Sequence, residues 1–137
     1  MANQQHLNLL KQGSASWNQW RQEHPRLSPD LSGAELALSH FSRIDFSGTD
    51  LSGANLAWAD LYKADLTGAN LSEANLSGAD LSGTCLYKAD LSNANLSGTD
   101  FYRADLREAY LSEANLRKAL LDAAVLTPIH DDFLDHA

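Results

Sequence analysis

The stretch ADLYKADLTGANLSEANLSGADL, residues 59–81, decides the fold because one five-residue unit repeats through it without interruption. The centre of the unit is Leu, with Asp or Asn one residue before it and Ala two residues before it. Ser, Thr or Tyr follows the centre, and Gly is frequent after that. We call these places the small, polar, centre, first turn and second turn positions. Leu or Phe recurs at the centre from Leu31 to Leu126, which makes twenty units in one register.

The five-residue period excludes a helix and a straight strand. On a helix, centres five residues apart would step by about 140° and reach every face. On a strand, side chains alternate with period two, so successive centres would point to opposite faces. The pattern is satisfied when each unit is a short extended piece that ends in a turn. Seven of the eight glycines support this, because they occupy the second turn position, where a turn needs positive φ.

Residues 59–81 resemble the pentapeptide-repeat family, and the resemblance extends over about residues 29–128. It implies an all-β solenoid, a right-handed quadrilateral β-helix of about five coils with four units in each. The segment WNQWRQEHPRLSPDLSGAEL, residues 17–36, is similar to the N-terminal segment of cyanobacterial members. Units twenty residues apart would then stack in columns, and one column holds Asn55, Asn75, Asn95 and Asn115. Their amides are expected to form a ladder along the axis.

The open ends of a solenoid need caps because they expose core and unpaired backbone. Residues 3–11 and 15–23 predict two short helices separated by Gly13. Trp17 and Trp20 are three residues apart, on one helical face, and are expected to cover the first coil. The alternative is an aromatic binding site. The fold class is therefore a β-solenoid with a short α-helical N-terminal cap.

The C-terminal end has apolar residues at polar positions, where solvent is expected. With the tail they form a candidate C-terminal cap or dimer contact that comprises Tyr110, Leu120, Val125, Ile129, Phe133 and Leu134. Either the tail folds back over the last coil or two chains meet end to end, and we favour the monomer over the end-to-end homodimer. The chain is thus divided into a helical cap (1–28), the repeat domain (29–128) and a C-terminal tail or cap (129–137).

Composition excludes several classes of function. A net charge of −8 argues against direct nucleic-acid binding, and the lack of a long apolar run argues against a membrane span. A filled rod offers no concave site with convergent acid, base or nucleophile groups, so the chain is predicted not to be an enzyme. His and Cys lack the spacing of metal ligands, so neither a metal nor another cofactor is expected. The single cysteine, Cys85, and the missing signal sequence predict a cytoplasmic protein.

The candidate partner-binding surface comprises Trp58, Tyr62, Lys63, Tyr102 and Arg103. The two tyrosines and the two bases share one side of the rod, and Trp58 is on another side with the Asn column. The column Asp60, Asp80 and Asp100 lies beside the basic residues of the tyrosine side, and local ion pairs are expected there. Trp58 is interpreted either as an anchor for a partner or as a residue that packs laterally against the N-terminal cap.

Two functions remain. The first is a protein-interaction or structural scaffold module, a rigid rod that displays rows of side chains to an unidentified protein partner. The second follows from the resemblance, because some family members mimic duplex DNA and bind type II topoisomerases such as DNA gyrase. Residues 29–126 hold 14 acids and 7 bases, a net charge of −7. Duplex DNA of the same length, about 24 Å, carries roughly 14 charges, so we rank mimicry second.

Overall fold

A computed structural model of the chain describes residues 1–126. Two helices open the chain: α1 spans Gln4–Lys11 and α2 spans Ser14–Glu23. Asn3 caps α1, since its side chain accepts a hydrogen bond from the backbone N–H of His6. The two helices predicted at the N-terminus are therefore present, with ends shifted by one residue. Within residues 1–126, no helix has the length and apolar character needed to cross a membrane.

From residue 30 onward the repeat forms stacked coils. Parallel bridges join each polar position to the polar position twenty residues later, from Asp30 with Asp50 to Asp105 with Val125. These single-residue bridges are the only β-structure in the described part of the repeat. A turn closes each of the nineteen units whose turn the structure describes, so each coil has four corners and four sides.

Every corner is a type II turn. The second turn residue has φ between 53° and 69° at all of the described corners, while the first turn residue has no positive φ. Gly fills seven of these positions and side chains fill twelve. An L-residue in this left-handed region is destabilised by about 1–2 kcal/mol, so most corners carry a small steric penalty.

Reciprocal substitutions at two corners of one column test this penalty. Glu73→Gly should raise the free energy of unfolding by up to about 1 kcal/mol, because the steric relief exceeds the chain entropy that glycine adds. Gly53→Glu should lower it by about 1 kcal/mol, although a β-carbon there meets open space. Urea unfolding measures both. A loss of stability in both variants would contradict the left-handed geometry as the cause.

In the units of residues 50–104 that have Asp or Asn at the polar position, all five backbone N–H groups have an acceptor. Polar, centre and second turn N–H groups bond to neighbouring coils. The N–H of the residue at the small position donates across the turn to the carbonyl of the preceding centre residue. The N–H of the first turn residue donates to the side chain at the polar position. For residues 50–54 the acceptors are the Pro29, Asn70, Ser72 and Leu51 carbonyls and Asp50 Oδ1, at 2.7–3.0 Å. Backbone pairing along the axis therefore holds the coils together.

Asp and Asn at the polar position act through an oxygen rather than through a charge. All fourteen Asp and Asn residues at this position accept the first turn N–H through Oδ1, at 2.9–3.1 Å. Asp and Asn alternate freely because both present this oxygen. The predicted amide ladder is wrong: Asn75 and Asn95 bond to their own turns, and Asn55 Nδ2 donates to Glu35.

The core is a shaft filled by centre and small side chains. Leu51, Phe46 and Phe101 are fully buried, as are most of the other centres. Thr replaces Ala at three small positions. Thr84 and Thr99 donate through their hydroxyls to the Leu61 and Leu76 carbonyls, at 3.0 and 2.7 Å, each twenty-three residues earlier.

Thr49 shows what happens where the preceding coil is missing. Its hydroxyl is buried and has no hydrogen-bond partner among the described residues. The equivalent carbonyl would belong to Arg26, which precedes the first coil. A buried hydroxyl without a partner lowers stability, so Thr49 is a local weakness of the first coil.

Substitution of Val for Thr distinguishes these two environments. Thr99→Val should lower the free energy of unfolding by about 1 kcal/mol, because it removes a buried hydrogen bond. Thr49→Val should leave stability unchanged or raise it by about 1 kcal/mol, because it removes an unsatisfied hydroxyl. Thermal and urea unfolding measure both. Equal losses at the two positions would rule out the hydroxyl as the source of the difference.

The helical cap replaces the coil that the first coil lacks. Trp17 is fully buried, packs edge-on against Phe46, and donates its indole N–H to the Asp45 carbonyl at 2.6 Å. Four further hydrogen bonds, of 2.7–3.0 Å, join the helical cap to the free backbone edge of the first coil. The Asn3 N–H donates to the Asp30 carbonyl and Arg21 donates to the Ser47 carbonyl. The Asp30 N–H donates to His6 Nδ1, and the Asp45 N–H donates to Asn18 Oδ1. Side chains thus pair an edge that would otherwise be open to other chains.

Removal of the indole donor tests this edge pairing. Trp17→Phe should lower the free energy of unfolding by about 2 kcal/mol, from the lost hydrogen bond and lost packing. Trp20→Phe is the control, because Trp20 is only half-buried and its indole N–H has no hydrogen-bond partner in the described chain. Urea unfolding should show the smaller loss for Trp20. Equal losses would mean that the bond to Asp45 does not stabilise the edge.

Candidate interaction surface

The candidate residues occupy two neighbouring corners of the rod. Tyr62 and Lys63 take the turn positions of one corner, and Tyr102 and Arg103 take the same positions two coils later. We call this corner, with Arg43 one coil before Lys63, the Tyr62–Arg103 corner. Trp58 lies five residues before Lys63, on the adjacent corner. The structure therefore brings four of the five residues into one row and places Trp58 beside them.

Cations lie over the tyrosine rings of the Tyr62–Arg103 corner. The Lys63 ammonium is 5.4 Å from the centroid of the Tyr62 ring, and the Arg43 guanidinium is 5.9 Å from it. The Arg103 guanidinium is 5.3 Å from the centroid of Tyr102. Tyr62 and Tyr102 are nevertheless 37% and 45% exposed. A cation over an exposed ring contributes about 0.5–1 kcal/mol, enough to bias the side chains toward one arrangement.

The ion pairs predicted for this side are absent from residues 1–126. The single ion pair there joins Arg107 to Asp105, on another corner. Asp60 and Asp100 instead hold their own turns, since they accept the N–H groups of Tyr62 and Tyr102. Basic side chains therefore turn toward aromatic rings, and their charges remain available to a partner.

The next corner also has cations over its tyrosine ring, Lys88 at 5.4 Å and Arg107 at 5.8 Å from the Tyr87 centroid, but its tyrosine hydroxyl has an acceptor. The Tyr87 hydroxyl donates to the Glu108 carboxylate at 2.7 Å, and this bond raises the pKa of Tyr87. Arg107 donates twice to Asp105, at 2.8 and 2.9 Å, and holds the pKa of that carboxyl below its ordinary value. The hydroxyls of Tyr62 and Tyr102 have no such partner in the described chain. Tyr87 is therefore a natural control for them.

Trp58 does not pack against the N-terminal cap, contrary to one of its two interpretations. Its ring lies along the rod axis, over Gly78 of the next coil, and Trp58 remains 67% exposed. Sequence analysis did not identify Gly78 as the partner of Trp58. The available signal was two consecutive glycines in the same twenty-residue column.

The other predicted residues are at the ends of the rod. Trp17 and Trp20 contact each other with ring centroids 5.3 Å apart, and Trp17 is buried in the junction between cap and core. Tyr110, Leu120 and Val125 are exposed at their polar positions. Ile129, Phe133 and Leu134 lie outside the described residues. No group of His, Cys, Asp or Glu within residues 1–126 has the arrangement of a metal site.

Sequence comparison assigns the repeat. The sequence model described as pentapeptide repeats matches in eight copies, over residues 30–68, 54–93 and 89–127. This chain belongs to the pentapeptide-repeat family. Membership implies a right-handed quadrilateral β-helix, and the four turns per coil agree with it. No curated protein sequence matches the chain.

Solved structures of pentapeptide-repeat proteins are similar to this one. A protein of the Arabidopsis thaliana thylakoid lumen has a TM-score of 0.71 and 29% identity, over 73% of this chain and 70% of its own. A protein from the cyanobacterium Nostoc is 35% identical over 80% of this chain and 72% of its own, with a TM-score of 0.26. A third, from the cyanobacterium Cyanothece, is 29% identical over 84% of this chain and 93% of its own, with a TM-score of 0.42.

Proposed function

We propose that this protein is a non-enzymatic protein-interaction module that presents the Tyr62–Arg103 corner and Trp58 to a protein partner. The observation that carries the proposal is the exposed row of tyrosines whose neighbouring cations contact rings rather than carboxylates. Trp, Tyr and Arg are the residue types that most often dominate binding energy in protein interfaces. The corner therefore has the composition of an interface centre.

The backbone of the rod supports this role because it fixes the spacing of the row. Tyr62 and Tyr102 are two coils apart, which corresponds to about 10 Å. Each ring stands on a turn whose N–H groups are all paired, so little backbone entropy remains to be lost when a partner binds.

The charges indicate the chemistry of the partner. Arg43, Lys63 and Arg103 form no ion pair within the described residues, and each can receive a carboxylate without breaking one. Arg also offers paired donors that match a carboxylate. We infer that the partner surface is acidic where it meets this corner. Mimicry of DNA ranks second here, because these bases offset the adjacent row of acids Asp60, Asp80 and Asp100.

Substitutions taken from the column itself test the surface. The double variant Tyr62→Ser with Tyr102→Ser places in the row the residue found at Ser42 and Ser82. It should keep the stability of the rod and reduce partner capture from a lysate of the source organism at least tenfold, measured by quantitative mass spectrometry. The variant Tyr87→Thr is the control, because Thr67 occupies that column. It should capture the partner as the wild type does.

Two results would contradict the proposal. One is undiminished capture by the double variant. The other is potent, stoichiometric inhibition of DNA gyrase supercoiling that survives both tyrosine substitutions, which would favour topoisomerase binding. Light scattering of the purified protein tests the predicted monomer, and cell fractionation tests the predicted cytoplasmic location.

A further inference from the structure

The corner that carries Trp58 contains an open groove. A β-carbon on Gly78 would lie 2.5–2.6 Å from the Trp58 ring, so the ring occupies space that only glycine leaves free. Gly78 and Gly98 form the floor of the groove, which has no side chain over two successive coils, and Ser77 and Ser97 flank the two glycines. The groove has a volume of about 310 Å³.

The two ends of the groove differ in chemistry. The aromatic end is the Trp58 ring, and the basic end consists of Arg117 and Lys118. Neither basic side chain forms an ion pair or lies over an aromatic ring within residues 1–126. No acidic residue lines the groove, although the chain has a net charge of −8. A ligand with a carboxylate would therefore meet two cations and no repulsion from the groove walls.

The floor contributes few hydrogen bonds to an occupant. Gly78 and Gly98 donate their N–H groups to the Ser97 and Arg117 carbonyls, both at 2.9 Å. Recognition must then come from the ring and the cations. The ring lies at the level of Gly78, two coils from Lys118, which corresponds to about 10 Å. An extended peptide covers that distance in about three residues.

We propose that this groove binds an extended acidic segment of a partner protein, with an aromatic residue against Trp58 and a carboxylate three residues away at Arg117 and Lys118. The site deepens the proposed function and rests on it in one respect, namely that the occupant belongs to a protein partner. Trp58 selects an aromatic ring in the bound segment by aromatic pairing, and Arg117 and Lys118 select a carboxylate in it. The distance from Trp58 to the two cations selects the spacing of these two groups along the segment.

A peptide titration tests the site directly. The probe is the acetylated and amidated peptide Glu-Gly-Gly-Phe-Gly-Gly-Glu, which has the required spacing in both chain directions. Titration of the isotope-labelled full chain should produce saturable shifts of the Gly78 and Gly98 amides and of the Trp58 indole. The peptide Gly-Gly-Glu-Phe-Glu-Gly-Gly has the same composition and should bind at least fivefold more weakly. Replacement of both Glu by Gln, or of Phe by Ala, should weaken binding at least tenfold.

Variants of the protein separate binding from folding. Trp58→Gly copies Gly78 and Gly98 and removes a side chain from a residue with φ of 59°, so it should keep or increase stability while it weakens peptide binding at least tenfold. Leu38→Gly makes the same kind of change one coil earlier, at φ of 64°, and should bind the peptide as the wild type does. The double variant Arg117→Ser with Lys118→Gly copies Ser97 and Gly98, and should also weaken binding at least tenfold.

Three results would overturn the site. If Trp58→Gly binds the peptide as tightly as the wild type does, the groove is not the binding site. If the peptide with Gln in place of Glu binds as tightly as the original peptide, the two cations do not recognise the carboxylates. If the peptide binds the Phe133→Ala variant but not the wild type, the occupant of the groove is the segment 127–137 of the same chain rather than a partner. A failure of the proposed function would give a different result. The double variant Tyr62→Ser with Tyr102→Ser would then capture the partner from the lysate as the wild type does, while this peptide would still bind the groove.

Discussion

Each repeat has five backbone N–H groups that need hydrogen-bond acceptors, and this requirement governs the structure of the molecule. Three of them pair with neighbouring coils, one closes the turn, and one bonds to the Asp or Asn oxygen at the polar position. A buried or half-buried peptide group without a partner is destabilising, which favours Asp or Asn at the polar position, and fourteen of the twenty units have one of them. The same requirement explains the N-terminal cap, in which Trp17, Asn18 and Arg21 bond to the free edge of the first coil.

That arrangement assigns separate tasks to the positions of a unit. Centre and small side chains fill the shaft, and polar side chains hold the turns. Only the two turn positions are left without a structural task, and all seven bases of residues 29–126 stand there. The second turn position is also the one where side chains are sterically disfavoured. Trp58, Lys63, Arg103 and Lys118 therefore occupy backbone that would be more relaxed with glycine.

Predictions about repeating features were more accurate than predictions about contacts. The inward Leu row, the turn at the second turn position and the two cap helices followed from periodicity and residue type, and the structure confirms them. The amide ladder and the ion pairs beside Asp60 were wrong for one reason. Polar side chains have competing local partners, and Oδ1 lies closer to its own turn than to the next coil.

The sequence by itself determined the five-residue unit, the set of buried side chains and the place of each turn, because these depend on interactions within one or two units. The tertiary structure decided which surface residues meet. Trp58 lies over Gly78, and Arg43 reaches Tyr62, because a coil returns to the same corner after twenty residues. Neither the direction of the Trp58 ring nor the choice of a ring over a carboxylate follows from spacing, since both depend on the space that the neighbouring coil leaves free.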